Sequence, residues 1–291
     1  MAFVIITGQI DLSVGSSLVL TTGACIMVFN MTNSILLFIL SALVVGSLCG
    51  LINGRLVGFG KMPPFVVTLG TMLIYRSLTL SVVREIDPAI TGSSSSQFAM
   101  MSANSNYDFL RMKFGVGKLN LFGFAIPWIF FVFLLMAILF IMISHNTKYG
   151  KSIYAVGSNE KSARLAGISV TGVKISVFVL TGLCVGVASI MQACKIGNIT
   201  PASSGQSYEM YAIASVVLAG VSMAGGRGEL LGVIFGAMSY ATINFIITSV
   251  GLSVDLQNAF QGLVLIIVIL IQTAGGSIKK SVMKLFGKKA E

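Results

Sequence analysis

Few residues in this chain of 291 are of types that do chemistry. It holds 9 Asp and Glu, the single histidine His145, and the 4 cysteines Cys25, Cys49, Cys184 and Cys194. The cysteines lie in or beside apolar runs without CxxC spacing, where a lone Cys behaves as a small hydrophobe. One histidine among scattered carboxylates makes no metal-ligand cluster. Gly150-Lys151-Ser152 ends like a phosphate loop, but His145 stands where GxxxxGK[ST] needs its first glycine, and the flank is no strand. After Gly226 and Gly228, Leu231 stands where GxGxxG needs its third glycine, and HExxH, GxSxG and paired acids on one helix are missing from the sequence. The sequence thus offers no means of hydrolysing ATP or of covalent catalysis, and calls for no cofactor.

What remains is a small set of polar residues inside apolar segments. The chain is 55% hydrophobic and 10% charged, with a mean hydropathy of +0.94. A soluble domain carries about a quarter of its residues as charges, so the composition predicts an integral membrane protein. It excludes a disordered chain, a disulfide scaffold and, despite a net charge of +10, a nucleic-acid-binding domain. A membrane-spanning helix needs about 20 apolar residues. Candidate spans cover about 1–30, 33–52, 64–83, 124–143, 173–194, 209–223, 229–250 and 256–273. The expected fold is therefore all-α, a polytopic helix bundle over 1–273 with about eight spans, followed by a basic tail, 274–291.

The basic residues sort into two sets. Arg55, Lys61, Lys148, Lys151, Lys161, Arg164, Lys174, Arg227 and tail residues Lys279, Lys280, Lys284, Lys288 and Lys289 fall on one side. Arg84, Arg111, Lys113, Lys118 and Lys195 fall on the other, and Arg76 lies within a span. Cytoplasmic loops are richer in Lys and Arg, so the first set, with the C-terminal tail, is expected in the cytoplasm and loop 84–123 outside.

Three of the spans are irregular. The first holds Thr7-Gly8-Gln9-Ile10-Asp11-Leu12-Ser13-Val14-Gly15-Ser16 between two apolar runs. A carboxylate at mid-membrane costs about 2.5–3.5 kcal/mol, so Asp11 must face protein or water. Either capping of a broken helix or contact with a solute accounts for it, and both imply a discontinuous helix. The third span opens on Pro63-Pro64, suited to a helix start, and then carries Thr68, Thr71, Tyr75, Arg76 and Thr79, which suits the bundle interior beside a polar path. The short sixth span starts at Tyr208-Glu209, where Glu209 is expected to pair with Lys195.

Glycines at four-residue spacing (Gly46, Gly50, Gly54; Gly182, Gly186; Gly228, Gly232, Gly236) predict close helix contacts. In the loop 144–172, Ser158 or Asn159 can cap a short amphipathic helix, Glu160 sits in its first turn and Gly167 can end it.

The run Ile5-Ile6-Thr7-Gly8-Gln9-Ile10-Asp11-Leu12-Ser13-Val14-Gly15-Ser16 resembles a signature of the ribose/xylose-type sugar ABC transporter permeases. The resemblance continues through Asn53-Gly54, Pro64 to Gly70, Tyr154 to Glu160, Ala163 to Ile168, Tyr208 to Gly220 and Ala224 to Gly228. It implies the type II ABC importer permease fold, with discontinuous helices, in the cell membrane. It also implies partners: a cytoplasmic ATPase that hydrolyses ATP, an extracytoplasmic sugar-binding protein and a second permease copy or paralogue. Residues 157–168 would be the ATPase-coupling segment, through Gly157, Asn159, Glu160, Ala163, Arg164, Gly167 and Ile168. Asp11, Ser13, Gly15, Asn53, Thr68 and Asn244 would line the translocation path. Gln9 departs from the glycine usual in the signature. Family members carry some fifty or more residues before it, so either the start is misassigned or the protein is shortened. A branched-chain amino-acid permease is the first rival, an ion-coupled secondary carrier the second.

Overall fold

The computed structural model describes residues 1–93, 96–121, 123–251, 256–257, 259–264 and 266–270. Helix α1 (Ala2–Ile6) stops at Gly8, whose φ of 73° is a left-handed turn that glycine adopts without steric cost. Helix α2 (Val14–Thr32) resumes after a seven-residue gap and ends at Asn33, also left-handed. The expected first span is therefore two helices separated by a break. Helix α3 (Ile35–Gly58) starts from Ser34, whose side chain accepts from Leu37 N–H. Helix α4 (Pro64–Glu85) starts at the paired prolines, since Pro at the first helical position lacks only an N–H that would have no helical partner.

Loop 84–123 and its flanks form a small structured lobe. It contains α5 (Pro88–Thr91), β1 (Phe98–Ala99), a π-helical turn (Phe109–Gly115) and the hairpin β2 (Lys118–Leu121) and β3 (Phe124–Pro127). Phe98, Met100 and Leu110 are buried beneath it. The chain continues through α6 (Trp128–Asn146), α7 (Lys148–Ser158), α8 (Glu160–Leu165) and α9 (Val170–Ile196). Next come β4 (Asn198–Ile199), antiparallel to β1, then α10 (Tyr208–Leu218), α11 (Leu230–Ser249) and an apolar helix Ala259–Leu270.

Among the described residues, six helices, α2, α3, α4, α6, α9 and α11, are long and apolar enough to cross a membrane. Helix α10, at 11 residues, is shorter than a full crossing. Parts of the expected last span and the whole tail 274–291 lie outside the described residues.

The glycine rows do what their spacing predicts. A Cβ on Gly46 would collide with Gly182 O, one on Gly50 with Phe178 O, and one on Gly54 would come within 2.8 Å of Ile175 O. Lipid supplies no hydrophobic drive to join helices, so this close backbone approach is the means of association. Rising numbers on α3 meet falling numbers on α9, so the two are antiparallel. That register puts Arg55 and Lys61 at the same end as Lys174, with Lys195 at the other, matching the sorting by charge. Apolar side chains such as Leu36, Leu73 and Phe245 point outward, as they would toward lipid or a second subunit.

Candidate translocation gate and coupling segment

Asp11 is buried, and its Oδ1 accepts from Ser13 N–H at 2.9 Å and from Ser13 Oγ–H at 2.7 Å. This is an Asx turn, in which a short acidic side chain bonds the backbone two residues on; it fixes Ser13, the residue before α2, while α2 itself has no side-chain cap. Ser13 Oγ in turn accepts from Asn53 Nδ2 on α3 at 2.8 Å. Thr68, buried on α4, donates to Pro64 O at 2.9 Å and approaches Ile10 O at 3.4 Å. Four expected path residues thus meet at one break.

Asn53 lies in the second turn from the Arg55 end of α3, and Thr68 in the second turn of α4, just after Lys61. The break that holds Asp11 therefore lies toward the basic ends of α3 and α4.

Gly15, the next path candidate, touches a different element. A Cβ there would collide with Gly205 O and come within 2.7 Å of Glu209 Oε2. Arg76 Nη1 donates to Pro201 O and Ser204 O, both at 2.6 Å, which anchors the turn before α10 onto α4. The Glu209–Lys195 pair does not form among the described residues. Glu209 sits over Gly15 instead, within electrostatic reach of Arg76. Asn244 stands apart on α11, where its Oδ1 accepts from Gln261 Nε2 at 2.6 Å.

The loop 144–172 contains two helices rather than one. Helix α7 was not expected; it buries Gly150, Ile153 and Val156 and packs Tyr149, Tyr154 and Ala155 against the core. On α7, Tyr149 hydroxyl lies 2.7 Å from Ser176 Oγ, and burial pushes its phenol up from the usual tyrosine value against that hydrogen bond. Of the two candidate caps, Asn159 serves α8: its Oδ1 accepts from Ser162 N–H at 3.0 Å. The helix closes with Gly167 at φ 79°, Gly167 N–H bonding Arg164 O and Ile168 N–H bonding Ala163 O, both at 3.0 Å, the pattern that satisfies terminal carbonyls. Ala163 packs inward, and Glu160 forms a 2.6 Å ion pair with Lys174 at the start of α9.

Two features here were missed in the sequence. Leu165 is 90% exposed beside exposed Arg164; its only sequence signal is an apolar residue within an otherwise polar capped helix. Gly157 packs directly on the end of α1, where a Cβ would collide with Ile6 O and lie 2.7 Å from Gly226 N. Gly226 N–H bonds Ile6 O at 2.7 Å. The end of α7, the end of α1 and the turn at Arg227 therefore meet in backbone contact.

The family described as "Branched-chain amino acid transport system / permease component" matches residues 1–269. The chain belongs to this family. The permease is similar to the ribose import permease protein RbsC of Bacillus subtilis, 38% identical over 272 residues, covering 93% of this chain and 78% of the relative. It is 33% identical over 272 residues to the fructose import permease protein FrcC of Rhizobium meliloti, covering 92% and 71%. It is 32% identical over 244 residues to the D-allose transport system permease protein AlsC of Escherichia coli, covering 83% and 68%. No solved structure matches the chain. The permease is thus a multi-pass membrane subunit of an import system and not an enzyme. Membership in such a family implies an ATPase and a binding protein as partners.

Proposed function

We propose that the permease carries a monosaccharide into the cell by alternating access, driven by ATPases on its cytoplasmic side and fed by an extracytoplasmic binding protein. The observation that carries this reading is the similarity, over more than nine-tenths of the chain, to relatives named for ribose and fructose import. A branched-chain amino-acid cargo and an ion-coupled carrier are not favoured by those relatives.

In this reading α8 and its flanks, Gly157, Asn159, Glu160, Ala163, Arg164, Gly167 and Ile168, seat in the ATPase, with Leu165 as the apolar contact. A short, doubly capped helix passes on a rigid-body push that a flexible loop would absorb. Asp11, Ser13, Gly15, Asn53 and Thr68 hold the gate at the cytoplasmic end of the path. Asn244 is the remaining path candidate, on α11 against Gln261. The tail 274–291 is placed in the cytoplasm by the excess of Lys and Arg on that side.

The test is uptake into proteoliposomes holding the permease, its ATPase and its binding protein. Uptake of labelled ribose, fructose or allose should require ATP and persist with an uncoupler present. Uptake by the permease alone, collapsing with the ion gradient, refutes the proposal.

A further inference from the structure

Three buried side-chain atoms at the break lack a hydrogen-bond partner: Gln9 Nε2, Gln9 Oε1 and Asn53 Oδ1. Gln9 is 4% exposed and Asn53 1%, so bulk water does not serve them. Orphaned buried polar atoms are uncommon, and each calls for a reason. Gln9 stands two residues before Asp11, its backbone N–H fixed on Val4 O at 3.0 Å. Asn53 spends its Nδ2 on Ser13 and keeps its oxygen free on the α3 wall of the same break.

The chemistry of the unmatched groups narrows the ligand. One is a donor amide and two are acceptor oxygens. A cation would serve the oxygens and leave Nε2 unmet; an anion would do the reverse. A hydroxyl brings a donor and an acceptor in one group and meets both kinds.

We propose that Gln9, with Asn53 Oδ1, contacts the hydroxyls of the sugar as it passes the gate, and that Gln9 thereby contributes to transport efficiency. The proposal rests on the monosaccharide reading above. The contact is transient and weak, since a tight site in the path would hold the sugar back. It also makes an unusual pairing of effects: an apolar replacement removes two orphaned atoms from the folded core, so it does not destabilise through lost bonds, while it takes the contact away from the sugar. A packing or water-binding role for Gln9 would make stability and transport fall together or leave transport alone.

The experiment uses the permease assembled with its ATPase and binding protein in proteoliposomes. Uptake of labelled ribose, fructose and allose is measured for wild type, Gln9→Leu and Gln9→Ala, with the melting temperature and ATP hydrolysis of each. Expected is a melting temperature for Gln9→Leu at or above wild type and subsaturating uptake lowered about tenfold, the loss of one buried hydrogen bond. Gln9→Ala should lose uptake to a similar degree, which excludes blockage by the leucine side chain. Unchanged uptake in both variants, or a loss that follows a lowered melting temperature, overturns the contact. A wild-type complex that moves none of the three sugars refutes the importer reading and the contact with it. One that moves a sugar equally well with either variant refutes the contact alone.

Discussion

Replacing Gly50 by alanine tests what joins α3 to α9. The added methyl would collide with Phe178 O and lie 2.9 Å from Phe178 C and 3.1 Å from Val179 Cα. All three are main-chain atoms, so no side chain can swing aside and α9 must move as a body. Gly182 on Gly46 and Gly186 on Ala42 hold the same interface a turn away, so a shift at one point strains the next. Overpacking costs about 1–3 kcal/mol, and alanine returns up to about 1 kcal/mol of helix propensity. Because every clash is with backbone, the cost belongs at the upper end, leaving a net loss of about 2 kcal/mol. That is about thirtyfold in the folded-to-unfolded ratio. The assay is equilibrium unfolding in mixed micelles as the denaturing detergent fraction rises. Gly70→Ala is the control, since nothing lies within 4 Å of a Cβ there. If Gly50→Ala and Gly70→Ala unfold at the same detergent fraction, close backbone approach is not what holds the two helices.

Three further outcomes concern the coupling segment. Leu165→Asp should abolish co-purification with the ATPase while leaving the melting temperature within about 1 °C, because the side chain is exposed and has no partner to lose. Glu160→Lys should also release the ATPase, and the exchange Glu160→Lys with Lys174→Glu should restore the ion pair without restoring the partner; recovery of binding in the double variant would assign Glu160 to the fold alone. Asn159→Ala removes the cap of α8, worth about 1 kcal/mol, and should raise hydrogen exchange in residues 160–166 with a drop in sugar-stimulated ATP hydrolysis. Unaltered exchange there would mean that the neighbouring contacts, not the cap, set the helix.

Much of this architecture was legible because strong local signals agree with the tertiary contacts. The polar run that starts at Thr7 could not continue a membrane helix, and the helix is interrupted from Thr7 to Ser13. Glycines four apart on α3 and α9 had no purpose in isolation and find it in each other. The partners of the break were harder to read, because Asn53 and Thr68 are far away in sequence. The partner of Glu209 failed for a like reason. Lys195 is closer in sequence, but Gly15 leaves room for the carboxylate and Arg76 lies within reach. Orphaned Gln9 could be noted as a departure from a signature, but its lack of a partner is a property of the surrounding walls.

In the proposed importer, the junction of Gly157, Gly226 and Ile6 bears on how faithfully a stroke is passed along. Side chains deform by rotamer changes and so act as springs, storing part of any displacement. At this junction main chain rests on main chain, with a 2.7 Å hydrogen bond as the fastener and no room for so much as a methyl group at Gly157. The linkage therefore has little compliance: a displacement of α7 arrives at the end of α1 nearly undiminished. A bulky residue at position 157 would act less like a severed wire than like a shim, holding the gate at a wrong resting position while the motor still turns.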